Sequence, residues 1–269
     1  MKKLRNFFRG TYLGLMLIFL YAPILVLMVF SFNGSKSMAR WTGFSFKWYE
    51  ALMHDSTIMN ALIVTLSVAV ISALVATFIG TFAAIGIHSM KKRPRAVVEN
   101  ISRLPMVNPD LVTGISFMML FSALGIKGSY TRMLIAHITF NIPYVIFSVM
   151  PKLRQIDPNL AEAAQDLGAT PMQGFFKVIL PDIMPGVFSG FVMALTMSID
   201  DFVISYFTAG STFSTLSMVI YSMAKKRVSP EINALTAIIF VVVLALLLLS
   251  NYYSARKEKQ MMRKEEPAA

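Results

Sequence analysis

DPNLAEAAQDLGATPMQGFFKVILP, residues 157–181, is a polar stretch set between long apolar runs, and its reading organises the rest of the chain. Asp157 is a good helix N-cap and Pro158 suits the first helical position, where a missing N–H costs nothing. Leu160, Ala163, Ala164 and Leu167 then recur at helical spacing. Gly168 ends that helix, because a helix C-terminus commonly needs a residue at positive φ. Thr170-Pro171-Met172-Gln173 opens a second helix with a capping-box pattern, predicted to run to Leu180 and to be closed by Pro181 and Pro185. The prediction is two short helices bent at a glycine, with an alanine-rich face over which a partner approaches closely.

Outside this island the chain is too apolar for a soluble domain: 56% of its 269 residues are hydrophobic and 14% charged. That composition predicts an all-α polytopic membrane protein. The formal charge of +11 sits at the ends of apolar runs, which fits membrane orientation rather than nucleic acid. The absence of cysteine excludes disulfide, thiolate-metal and thiol redox chemistry. No GxxxxGK[ST] phosphate loop occurs, so if ATP drives this protein another chain hydrolyses it; no catalytic role, cofactor or metal is expected. His54, His88 and His137 do not stand at metal-ligand spacing with carboxylates. His137 and Asn141, one turn apart, suit hydrogen bonding between helices.

Six transmembrane helices are predicted, over residues 11–32, 61–87, 107–124, 133–150, 186–207 and 234–250, each near the ~20 residues a bilayer requires. The first is read as an uncleaved helix bent at Pro23, since it is too long for a signal-peptide core and lacks a small-x-small cleavage site. The organisation follows: a cytoplasmic N-terminus over residues 1–10, the first helix, an extracytoplasmic loop over 33–60, a core domain over 61–250 with the polar loop 151–185, and a basic cytoplasmic tail over 251–269. In the loop 33–60, residues 46–53 predict a short interfacial helix anchored by Trp48 and Tyr49. Small residues recur every fourth position at Ser72, Ala76, Gly80 and Ala84, and again at Gly186, Gly190, Ala194 and Ser198, so these two faces are expected to pack on other helices. With both termini inside, seventeen Lys and Arg fall on the inner side and eight on the outer, which places the loop 151–185 on the cytoplasmic side. The outer cluster Lys225, Lys226 and Arg227 runs against that trend.

An ionisable group inside a span costs about 2.5 to 3.5 kcal/mol on insertion scales, so an intramembrane acid is by default a functional candidate. Asp110 heads the third span, and Asp200 and Asp201 lie in the fifth. At 100° per residue Asp201 falls about 60° from the small-residue stripe, while Asp200 points away from it toward an aqueous path. Asp201 is also suited to satisfying backbone or hydroxyl donors nearby. Carboxylates replace the hydration that an ammonium loses, so a cationic solute fits, with Tyr206, Phe207, Phe140 and Tyr144 as aromatic candidates for cation–π contact. An ion-coupled carrier would also explain these acids, but it leaves the two-helix loop without a role.

The loop carries a more specific signal. Glu162-Ala163-Ala164, three residues, Gly168, nine residues, Val178, one residue, Leu180-Pro181 resembles the EAA signature of permease subunits of bacterial ABC importers, departing from it only in Val178 for isoleucine. The resemblance extends along the chain, through YAPI (21–24), WYEAL (48–52), MVNPDLV (106–112), HITFNIP (137–143), SIDDFVIS (198–205) and IYSMAKKRVSPEINA (220–234), to the second permease subunit of the spermidine/putrescine importers. It implies the type I ABC importer permease fold, and a heterodimer with a second permease. It also implies two copies of an ATP-binding subunit and an extracytoplasmic polyamine-binding protein. Glu162, Ala163, Ala164, Gly168, Thr170, Leu180 and Pro181 would form the surface that couples to the ATPase. The substrate implied is a polyamine; a sibling importer of another small solute is the alternative.

Overall fold

The computed structural model describes residues 2–36, 40–127, 129–157, 159–226, 230–241 and 244–245, with side chains from Gly10 onward except those of Ala161 and Lys226. In chain order the helices are α1 (Lys2–Ser31), α2 (Lys47–His54), α3 (Ser56–His88), α4 (Lys92–Val107), α5 (Asp110–Ala123), α6 (Tyr130–Leu153), α7 (Leu160–Asp166), α8 (Pro171–Asp200), α9 (Val203–Thr208), α10 (Leu216–Lys226) and α11 (Pro230–Val241). Residues 57–219 form one compact unit, and residues 1–56 with 220–269 form another.

The centre of the first unit is α6, packed on one side by α3 and on another by α8. In lipid no hydrophobic effect pulls helices together, so close van der Waals packing must do it, and small side chains permit the approach. The two predicted stripes are buried as expected: Ser72, Ala76, Gly80 and Ala84 on α3, and Gly186, Gly190, Ala194 and Ser198 on α8. A Cβ placed on Gly80 would lie 2.7 Å from the Cβ of Val145, and one on Gly190 would lie 3.2 Å from its Cα, so both glycines close on the same residue of α6. Val145, Val149, Met150 and Ile183 fill the space between the stripes.

Two spans differ from the expected course. Between α4 and α5 the chain turns by 100°. Pro109 disfavours helical backbone at Asn108, which is extended with ψ 135°, and Pro109 itself follows with ψ 135°. The remaining α5 is about 21 Å long, short of the ~30 Å hydrocarbon core. No helix was predicted between the second and third spans, where the structure builds the amphipathic α4. The fifth span, expected to be unbroken over 186–207, stops at Asp200 and resumes as α9 from Val203.

At its other end α8 is longer than predicted. The expected stop at Leu180 and Pro181 does not occur, and one helix runs from Pro171 to Asp200 through Pro181 and Pro185. A proline in a regular helix lacks an N–H and drives its ring against the carbonyl four residues back. Directly ahead of Pro181 the helix widens into a π-turn over Phe175–Ile179, with the Leu180 amide bonded to the Phe175 carbonyl five residues back. The wider turn carries the chain past the ring without ending the helix.

Among the described residues four helices are long and apolar enough to span a membrane, within Gly10–Ser31, Ser56–His88, Tyr130–Leu153 and Pro171–Asp200, or five if the bent pair α4 and α5 counts as one. The sixth predicted span corresponds to α11 as far as Val241; its remainder apart from residues 244–245, the tail 251–269, Pro158 and Arg227 lie outside the described residues.

In the second unit Asn33 organises the turn after α1. Its side-chain amide donates to the Arg40 carbonyl at 2.8 Å, its Oδ1 accepts from the Thr42 amide at 2.9 Å, and its carbonyl accepts from the indole N–H of Trp48 at 2.6 Å. Trp48 is therefore only 3% exposed, and the expected interfacial anchor is instead a packing residue. Tyr49 also turns inward, its hydroxyl 2.6 Å from that of Ser31.

Candidate functional site

The loop that follows α6 forms the predicted helix pair, with its first helix shifted. Asp157 does not cap it; the Asp157 carboxylate accepts from the Asn159 amide at 2.9 Å in a local turn, and α7 begins at Leu160. An Asx turn satisfies the same side chain over a shorter reach, which explains the two-residue delay. Gly168 stands at φ +84°. Its amide reaches the Gln165 carbonyl at 2.8 Å, and the next amide, of Ala169, reaches the Ala164 carbonyl at 3.0 Å, the two bonds of a Schellman motif. Thr170 and Gln173 form the reciprocal capping box as predicted. Of the alanine face, Ala164 packs back toward Gly174, leaving Glu162 and Ala163 exposed. The exposed apolar surface comes from Leu167, at 91% exposure, with Met172 and Phe176.

A clasp that the sequence did not reveal ties this loop to α4. Buried Glu99 accepts from Arg95 at 2.8 Å on its own helix and from Arg154, at the end of α6, through both carboxylate oxygens at 2.9 and 2.8 Å. The i, i+4 spacing of Arg95 and Glu99 was legible; their partner 55 residues on was not. Glu99→Ala is expected to cost about 1 kcal/mol, since Arg154 is half exposed and partly screened, and to lower the melting midpoint in detergent by ~2–4 °C. An unchanged midpoint would remove the clasp from the account of stability.

The membrane carboxylates have separate surroundings. Asp200 is exposed on the side of α8 away from the small-residue stripe, in line with Ser189, Met193 and Thr196. Asp201 turns inward, where its two oxygens accept from the amides of Ile204 and Ser205 at 3.1 and 2.7 Å. This is helix N-capping, and it occupies the carboxylate that the sequence had also offered to a solute. Asp110 opens α5 on an exposed surface, and Tyr206 is 56% exposed. Phe207 packs on α5, where a Cβ on Gly114 would meet its ring at 2.9 Å.

Behind Asp201 lies a buried polar knot. The fully buried His137 has Nδ1 3.1 Å from Ser198 Oγ and Nε2 3.0 Å from Ser205 Oγ. Asn141 donates to Ser198 Oγ at 2.8 Å, and Ser72 of α3 lies 3.0 Å from that same oxygen. The expected hydrogen bonding of His137 and Asn141 to a neighbouring helix is met, with Ser198 as the hub. Beside it, a cleft of about 620 Å³ opens in the elbow of α4 and α5, lined by apolar residues with Asn108, Thr113, Ser116 and Thr139 as polar points and Phe140 at its wall. Only the bend brings these residues together, so no sequence pattern marked the cleft.

Residues 76–261 match the family described as binding-protein-dependent transport system inner membrane component. The chain is 40% identical over 233 residues to the spermidine/putrescine transport system permease protein PotC of Escherichia coli K12, covering 87% of this chain and 88% of that protein. To the putrescine transport system permease protein PotI of the same strain it is 40% identical over 229 residues, covering 82% and 81%. In fold it is similar to a chain of a bacterial ABC transporter that imports the acidic polysaccharide alginate, with a TM-score of 0.67 at 21% identity over 95% of this chain and 99% of that one. A second structure of an alginate transporter, in complex with its pentasaccharide-bound periplasmic protein, gives a TM-score of 0.68 at 22% identity over 94% of each chain.

Proposed function

This chain belongs to the binding-protein-dependent transport inner-membrane components, among the permeases of that family, and from that premise we propose that it carries polyamines across the bacterial inner membrane. The observation that carries the substrate is the 40% identity, sustained over most of the chain, to permeases named for spermidine and putrescine. Its exposed carboxylates on apolar helices support the same reading, because an anionic group in a span suits a cationic solute. In this proposal the chain pairs with a second permease, and an extracytoplasmic binding protein delivers the polyamine. Two ATP-binding subunits hydrolyse ATP on the cytoplasmic side, where both termini and the loop 151–185 lie. Leu167, Met172 and Phe176, exposed around Glu162 and Ala163, form the surface that the ATPase grips. Asp200, Asp110 and Tyr206 line the path.

The test is uptake and polyamine-stimulated ATP hydrolysis in proteoliposomes that hold this chain with the other subunits. Asp200→Asn is expected to lower uptake at least tenfold, the scale of losing one hydrogen bond to a charged group, with assembly intact. ATP hydrolysis that responds to the binding protein but not to polyamine would retain the importer architecture and move the substrate to another small solute. Uptake without any ATP-binding subunit would overturn the importer reading.

A further inference from the structure

We propose that His137 is a positioning residue: it pins the Asp201-capped break between α8 and α9 and so holds Asp200 and Tyr206 in their exposed positions. The inference deepens the proposed function, resting on the reading of Asp200 and Tyr206 as path residues.

The break is expensive unless something holds it. An apolar medium leaves no water for the free amides at the start of α9, and a six-residue helix does not stand alone. Asp201, extended at φ −63° and ψ 126°, supplies the two acceptors, to Ile204 and Ser205. At the other end of α9, Arg132 donates to the Phe207 carbonyl at 3.1 Å. The imidazole of His137 joins the two helices. One ring nitrogen meets Ser198 in the last turn of α8; the other meets Ser205 in the first turn of α9 and lies 3.5 Å from Asp201 Oδ2. Ser198 is itself tied to α3 and α6 through Ser72 and Asn141. The ring therefore measures the gap between the helices against the fixed core.

The alternative conformation is a helix running straight through 201 and 202. It would satisfy the amides of α9 internally, and at 100° per residue it would carry Tyr206 about 240° around the axis from Asp200. Their relative directions would then be set by helical periodicity alone. With the break in place both are exposed, and Asp201 is turned inward. His137 touches no path surface, so its effect on transport is exerted through the geometry of this junction.

The chain has no cysteine, so single cysteines report the junction directly. In the assembled complex, Asp200→Cys or Tyr206→Cys is labelled with a water-soluble maleimide, read on this chain, in four backgrounds: native, His137→Ala, Asp201→Ala and Asp201→Asn. His137→Ala and Asp201→Ala are expected to change the labelling rate at one or both positions at least fivefold, about the population shift of a lost helix cap. Asp201→Asn, whose amide oxygen still accepts from one of the two N–H groups, is expected to stay within about twofold of native. Should His137→Ala fail to assemble, His137→Gln takes its place, with a smaller change in the same direction. Unchanged labelling in an assembled His137 variant overturns the proposal, as does an equal effect of Asp201→Asn and Asp201→Ala, which would assign the carboxylate's charge rather than its capping. Labelling needs no polyamine. The expected pattern across the variants, with a native complex that takes up no polyamine, would retain the positioning role and remove the polyamine reading alone.

Discussion

Gly80→Leu is expected to abolish the folded permease, while Gly86→Leu, six residues along the same helix, leaves it folded. Both are glycines within an apolar span, so propensity and hydrophobicity treat them alike. Their surroundings do not. At Gly80 a single added carbon would already sit 2.7 Å from Val145 Cβ, 2.8 Å from its Cγ1 and 3.1 Å from the Ile142 carbonyl oxygen, two side-chain atoms of a rigid residue and one backbone atom. At Gly86 nothing lies within 4 Å. Overpacking a tight core ordinarily costs 1–3 kcal/mol when side chains can shift; here the stop is the backbone of the central helix, so ~3 kcal/mol or more is expected. Because α3 and α8 both close on Val145, the damage spreads to the whole three-helix core. Monodisperse elution from detergent and the melting midpoint read the outcome. A Gly80→Leu protein that purifies and melts like the native one would refute the close packing of α3 on α6.

Gly168→Val is expected to do the opposite: the fold survives and transport fails. Nothing lies within 4 Å of a Cβ at this glycine, so no clash arises, and the penalty is confined to the backbone at φ +84°. For an L-residue, and a β-branched one above all, left-handed backbone costs roughly 1–2 kcal/mol. The chain escapes by leaving that region, and the amides of Gly168 and Ala169 then lose the carbonyls of Gln165 and Ala164. Helix α7 then swings relative to the start of α8, which moves Glu162 and Leu167 out of the surface proposed to meet the ATPase. In the reconstituted complex, uptake should fall at least tenfold while hydrolysis persists, if the two activities are coupled through this loop as proposed. Gly168→Asn, which tolerates left-handed backbone, should retain most of the uptake. Normal transport by a well-expressed Gly168→Val complex would show that the bend does not couple the two.

Much of this was legible in the sequence because the signals are local. A capping box spans four residues, a Schellman motif six, and a small-residue stripe repeats every turn, so Thr170, Gly168, Gly80 and Gly190 announce their roles without knowledge of their partners. The membrane class follows from composition, and the exposure of Asp200 from counting 100° steps along one helix. Local rules also misled where a local compensation was available: Pro181 reads as a stop, yet a π-turn over Phe175–Ile179 takes the helix through it.

What the tertiary structure decided is everything that depends on which helix lies beside which. That Asp201 is spent on capping α9 while its neighbour Asp200 remains exposed depends on a break that no periodicity marks. The break exists because His137, Ser198 and Ser72, from three different helices, converge on it. Glu99 is clasped across helices only because the close of α6 brings Arg154 to it, and the elbow cleft exists only because Asn108 and Pro109 turn the chain by 100°. Hydrogen bonds and close contacts between distant segments are set by distance in space, and in this chain the sequence fixes that distance only through the glycines that let three helices meet.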